Sequence, residues 1–171
     1  MTYFRIVPER SWVEIHARSS LHPIETRTTG PEGDVNVEIQ GGGRVNLKPS
    51  PRGTLLLRVE RLASGNPLVT RELRRRIDAR HYPTIEGELT EMREAADDDR
   101  YLVRGDVTFR GVTRTYEEEM TITALDDRTV RLVGEATFDI RDFGMEPPRI
   151  LMLRVEPEVR VRVHIVAESK A

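Results

Sequence analysis

The sequence predicts an all-β fold: an up-and-down antiparallel barrel of eight strands with one short helix near its mouth. Three observations lead there. Apolar and polar residues alternate at a period of two over most of the chain, the mark of half-buried strands. Turn signals recur at roughly 8 to 12 residues, the spacing of barrels and sandwiches. Past the helix the strands follow one another through short turns, which is up-and-down rather than Greek-key connectivity.

Residues 62–85 hold the one helical stretch. Asn66 suits the N-cap and Pro67 the first helical position, where a missing N–H costs nothing. Val69, Leu73 and Ile77 then fall four residues apart on one face, with Arg71, Arg74 and Arg75 pointing elsewhere. Tyr82-Pro83 ends the helix, because a residue before proline is pushed toward extended geometry. A lone amphipathic helix among strands is expected to close an open barrel end.

Before the helix, residues 11–19 carry Val13, Ile15 and Ala17 on one face and Trp12, Glu14, His16 and Arg18 on a wet side. Residues 21–33, with a proline near each end, read as a loop. Residues 34–40 resume the alternation, glycines 41–43 turn the chain into 44–48, and 54–60 follow with Leu55, Leu57 and Val59 inward. After the helix come strands at 84–93, 101–110, 113–124, 129–140 and 151–166. Pro157 in the last marks a break, a bulge or an edge.

The inner faces of these later strands are unusually small. They read Ile85, Gly87, Leu89; then Val103, Gly105, Val107, Phe109; then Leu132, Gly134, Ala136, Phe138, Ile140. Glycine weakens a strand interior, so each needs a reason. One reason is curvature. The other is room, since an eight-stranded barrel is just wide enough to be packed solid or to hold one slender ligand.

Composition narrows the function classes. At 171 residues the chain reads as one domain, 1–171. With no cysteine, disulfides and thiolate metal sites are excluded. Lys plus Arg is 27 against 29 Asp plus Glu, and aromatic residues are 5%, so nucleic-acid binding is disfavoured by both charge and stacking capacity. The amino-terminal residues hold no apolar signal-peptide core, and no run of ~18 apolar residues would span a membrane, so a cytoplasmic location is expected. Neither a GxGxxG nor a phosphate-binding GxxxxGK[ST] occurs, and no GxSxG elbow.

Glu14 and His16, with His22 nearby, lack a third ligand at recognisable spacing, so neither a metal nor a cofactor is expected. Glu118 falls on the inner face between Tyr116 and Met120. It is either a polar anchor or general base with a raised pKa, or a rim residue. Arg74, Arg75 and Arg76 form a solvated helix back or meet an anionic head group at the barrel mouth. Residues 138–153, FDIRDFGMEPPRILML, set Phe and Met beside arginine, a surface suited to an oily chain beneath a polar head.

Four motifs then carry a resemblance. They are Arg10-Ser11-Trp12-Val13-Glu14-Ile15, Tyr82-Pro83-Thr84-Ile85, the hairpin from Gly105-Asp106-Val107-Thr108-Phe109 through Arg110-Gly111-Val112-Thr113-Arg114, and Arg141-Asp142-Phe143-Gly144-Met145. Together they resemble the YceI-like family, whose members are similar to lipocalins: eight-stranded antiparallel barrels with a helix at one end that bind polyisoprenoid lipids in an apolar tunnel. The chain departs from the family pattern at Arg10 and Ser19, where histidines are common, with His22 displaced downstream. Its helical segment is also shorter and more basic, and Pro147-Pro148 reads as a subgroup feature.

The resemblance implies non-catalytic binding of an elongated apolar lipid, most simply a polyisoprenoid, in a carrier, storage or stress-protective role. Val103, Val107, Phe109, Met120, Leu132, Phe138 and Ile140 would line the tunnel. Tyr82, Phe143, Met145 and Met152 would shape its mouth, and Arg141 and Arg149 would meet the polar end. Two other classes remain open at this stage. One is an enzyme on a lipid-like substrate with Glu118 or His22 as acid or base. The other is a ligand-free structural barrel, in which Gly105→Leu would disrupt by overpacking. A homodimer is compatible with either and selected by none.

Overall fold

A computed structural model describes residues 1–170. The chain runs β1 (Thr2–Ile6), β2 (Trp12–Ser19), β3 (Ile24–Thr29), β4 (Glu32–Ile39), β5 (Val45–Asn46), β6 (Arg52–Arg58) and β7 (Leu62–Ala63) into helix α1 (Pro67–Ile77). It continues through β8 (Thr84–Glu94), β9 (Arg100–Phe109), β10 (Val112–Asp126), β11 (Thr129–Asp139), β12 (Arg149–Ile150) and β13 (Leu153–Ser169). These strands build a closed antiparallel barrel of eight staves, because the first three staves are each broken in two. β2 lies along Val155 to His164 of β13, and β1 continues along the same strand at Ala167 to Ser169. β3 and β4 pair in turn with β2 and β1, while β6 and β7 pair with β4 and β3. Stave by stave, the ring follows chain order.

The break between β1 and β2 is a single 3-10 turn at Pro8–Arg10. The ladder is continued there by Val7 N, which donates to Val166 O at 2.8 Å, and by a side chain. The buried Ser11 hydroxyl donates to Val166 O at 3.3 Å and accepts from Val166 N at 3.0 Å.

Three expectations are corrected. Residues 21–33 are not one loop but contain β3 and the start of β4. The inward face of β3 is Ile24, Thr26 and Thr28, all buried, and two hydroxyls hid a strand made of residues that favour sheets. The first strand is β1, ahead of the expected first strand at residues 11–19, and its Phe4 and Ile6 enter the core. The helix stops at Ile77 rather than at Tyr82-Pro83, because Asp78 adopts the left-handed conformation (φ 63°) and its N–H reaches the Arg74 and Arg75 carbonyls. The start of the helix is as expected: Asn66 caps it by accepting from Leu68 N and Val69 N. Pro157 sits in a bulge, where the register of β13 against β2 shifts between Val155 and Val159.

The two barrel ends are packed. At the end away from the helix, Phe4, Val37, Ile122, Val130 and Ile165 fill the ring, and the Tyr101 hydroxyl accepts from Val45 N at 2.9 Å. At the helix end, Val59, Leu62, Ile77, Phe109, Phe143 and Met145 form one cluster. Val69 of α1 joins Ile24, Ile150, Leu153 and Val155 in another. Between these plugs the staves present their small inner faces.

Candidate functional site: an apolar lumen with a split wall

Three adjoining cavities follow the barrel axis. The middle one has a volume of about 240 Å³ and is walled by Ile15, Leu57, Val107, Phe109, Phe138 and Val161, among others. Toward the end away from the helix it meets a second of about 230 Å³, which shares Leu55, Gly87, Val107, Met120 and Ala136 with it and adds Val103, Leu132 and Ile165. Toward α1 it meets a third of about 90 Å³ under Leu73 and Ile77, with Ile140, Met145 and Ile150. The surface of all three is almost wholly apolar, with Glu118 bordering the two larger ones. Apolar area buried in such a channel would be worth about 25 cal/mol per Å².

The glycines divide by role. A Cβ on Gly105 would meet Glu88 O at 2.8 Å, so this glycine permits the close approach of β8 at its own bulge between Leu89 and Glu91. Gly87 is different: its nearest neighbour would be Leu55 Cβ at 3.8 Å, and it opens onto both larger cavities. At Gly134 the space is taken by Met120, whose Cγ would lie 2.9 Å from an added Cβ. Curvature and room are thus both present, at separate residues.

The wall is not continuously hydrogen-bonded. β10 pairs with β11 only from Met120 opposite Gly134 to Asp126 opposite Thr129. Its first half is bonded to β9 alone, and residues 135–139 of β11 to β13 alone. Side chains span the resulting seam. Tyr116 meets Phe138 edge-on with ring centroids 4.6 Å apart, and Arg114 Nε donates to Asp142 O at 3.0 Å. Arg110 Nη1 donates to Gly144 O at 2.7 Å. Burial, then the charge and hydrogen bond of Asp142, raise the Tyr116 hydroxyl above the ordinary tyrosine pKa.

Glu118 lies in this seam. Its register opposite Val103 puts it on the inward side, yet it is exposed and has no ion-pair partner among the described residues. It is a rim residue of a split wall rather than a carboxylate sealed in apolar surroundings. His22 sits in the exposed loop between β2 and β3 with its ring against Pro23 O at 3.0 Å, and lines none of the three cavities. Among the described residues no group of three or more His, Cys, Asp or Glu is placed to hold a metal ion. His16 instead lies 3.3 Å from each of Glu14 and Glu25.

Of the residues expected to line the tunnel, Val103, Val107, Phe109, Met120, Leu132, Phe138 and Ile140 all border a cavity. Phe143 and Met145 do so at the helix end. Four others lie elsewhere. Tyr82 is half-buried outside the lumen, beneath the Arg110 guanidinium at 5.8 Å. Arg141 is exposed and held by Asp139, with Nη2 to Oδ2 at 2.6 Å, which lowers the Asp139 pKa. Arg149 and Met152 face outward in a surface groove with Arg71 and Arg76. Val13, Val159, Val161 and Val163 also line the tunnel, beyond the residues expected there, and the same alternation marks them.

Comparison with known proteins places this geometry. The sequence profile of the YceI-like domain matches residues 4–167. No curated protein matches the chain. Among solved structures, a polyisoprenoid binding domain from Saccharophagus degradans, implicated in plant cell wall breakdown, superposes with a TM-score of 0.80 at 11% identity, covering 99% of this chain and 100% of that one. BcnA from Burkholderia cenocepacia gives 0.77 at 17% identity, over 94% of this chain and 98% of that one. The YceI protein of Campylobacter jejuni gives 0.63 at 11% identity, over 81% and 82%.

Proposed function

The chain belongs to the YceI-like domain family, and from that premise we propose that its lumen binds one elongated apolar lipid, a polyisoprenoid or a molecule of similar shape. The observation that carries this reading is the run of three adjoining apolar cavities between two packed ends. A barrel packed solid would leave no such space, and a polar lumen would not accept a hydrocarbon. The polyisoprenoid-binding description of the Saccharophagus degradans relative supports the same class of ligand.

Binding is expected to be driven by burial of the chain, with no covalent step. Branched methyl groups suit a wall of valines and leucines broken by glycine, because the pockets between staves are irregular. The polar end of the lipid would lie at the split seam, beside Glu118 and Tyr116, since both packed barrel ends are apolar. A carrier, storage or protective role follows from holding such a molecule out of water. The test is organic extraction of the purified protein followed by mass spectrometry. A stoichiometric polyprenyl species supports the reading. Extracts that stay empty, even after incubation with a polyprenyl lipid, overturn it.

A further inference from the structure

Strands β12 and β13 form a hairpin whose two turn residues are Leu151 and Met152, since Ile150 pairs with Leu153. Both turn residues have positive φ, 50° and 70°. That is the backbone of the tightest hairpin turn, which asparagine and glycine adopt readily and bulky side chains adopt at a cost. This chain instead places two large apolar residues there and leaves them open to water: Met152 is 95% exposed and Leu151 46%. A strained turn that displays apolar side chains to water contributes nothing to folding, so the display needs a partner.

The surroundings indicate which partner. Beside the turn a groove of about 460 Å³ is lined by Leu68, Arg71, Glu72, Arg76 and Arg149. Leu68 is 59% exposed, and arginines outnumber carboxylates in the groove by three to one. Arg154, just past the turn, exchanges hydrogen bonds with Ser20, which holds Leu21 (82% exposed) at the same end of the barrel. An apolar tip ringed by arginine fits the boundary of an anionic bilayer, with the tip among the acyl chains and the guanidinium groups at the phosphates. The chain as a whole carries a net charge of −2, so the attraction is local to this end. Behind the tip, Ile150 lines the cavity under α1, so the surface lies directly over one end of the lumen.

We propose that the Leu151-Met152 turn, with Leu68 and the arginines 71, 76 and 149, docks the protein on an anionic lipid surface. This goes beyond the lumen reading and rests on surface observations of its own.

The experiment is flotation of the full chain with vesicles of phosphatidylcholine alone and of phosphatidylcholine mixed with phosphatidylglycerol. The protein is expected to float with the mixed vesicles only, and added salt should release it. The key variant is Leu151→Asn with Met152→Gly, which supplies the residues the turn geometry favours. It should melt at a higher temperature than the parent and bind the mixed vesicles more weakly, by on the order of tenfold or more. Arg149→Glu should weaken binding roughly fivefold or more and make the remainder less salt-sensitive. The proposal is overturned if the parent fails to float with mixed vesicles at low salt, or if the turn variant floats as the parent does. It is also overturned if the turn variant only converts a dimer of this chain to monomer, which would make the surface a contact between two copies. Loading of a polyprenol from a cyclodextrin complex, in the absence of vesicles, reports the lumen separately: docking can fail while loading persists, and the reverse.

Discussion

At the break between β1 and β2, the Ser11 hydroxyl is the partner of Val166 N and a second donor to Val166 O beside Val7 N, and Ser11 is only 3% exposed. Ser11→Ala would strand the Val166 N–H where water does not reach, while Val166 O keeps the Val7 N–H at 2.8 Å. Its stability is expected to fall by about 1–3 kcal/mol, read as a lower urea midpoint with unchanged slope. The glycines make a second residue-scale contrast. Gly105→Leu drives a side chain into the Glu88 carbonyl and destabilises by about 1–3 kcal/mol or more whether the lumen holds a ligand or not, so it does not separate a filled barrel from an empty one. Gly87→Leu does, because it enters free space: the fold is expected to survive and lipid loading to fall. Tyr116 supplies a pH signature. Its neutral form belongs to the fold, so its contribution to stability is complete below the pKa of an unfolded tyrosine and is lost as pH rises through the higher folded value. In a phenolate absorbance titration it should ionise after an unperturbed tyrosine, and Asp142→Asn should bring it earlier.

At the level of elements, the helix was legible because its signals are local. Asn66 and Pro67 mark its start, and the stripe of buried Val69 and Ile77 with half-buried Leu73 faces the barrel end. Asn66→Ala removes the acceptor for two backbone N–H groups and should cost about 1 kcal/mol, seen as faster amide exchange in α1 ahead of the strands. Its end was misread because the left-handed Asp78 stops the helix before Tyr82-Pro83 is reached. Strand β3 was hidden by Thr26 and Thr28, whose burial depends on neighbours the sequence does not display. The split between β10 and β11 had no local signal at all. Both strands alternate correctly, and a lapse of pairing between them is a property of how the barrel closes.

Across the whole molecule, the eight staves and the apolar lumen follow from alternation and chain order, both of which were visible. The outward placement of Arg141, Arg149 and Met152 was not. Charge and hydropathy say which residues are oily or basic, whereas the positive φ of Leu151 and Met152 decides which way the turn presents them. The molecule that results has a greasy interior between plugged ends, and a wall with one seam held by Tyr116 and Phe138. Motion at that seam or beneath α1 is needed to admit a ligand, so loading should be slower than diffusion allows and should quicken in Tyr116→Ala with little change in the final amount bound.

If the lumen is space for a lipid chain, a side-by-side titration of the parent chain and Gly87→Leu with a polyprenyl lipid will show it, with both proteins shown to be folded by their thermal transitions. Saturable one-to-one binding is expected of the parent and a marked loss in Gly87→Leu. Equal binding by the two proteins would place the lipid outside the lumen and contradict that expectation.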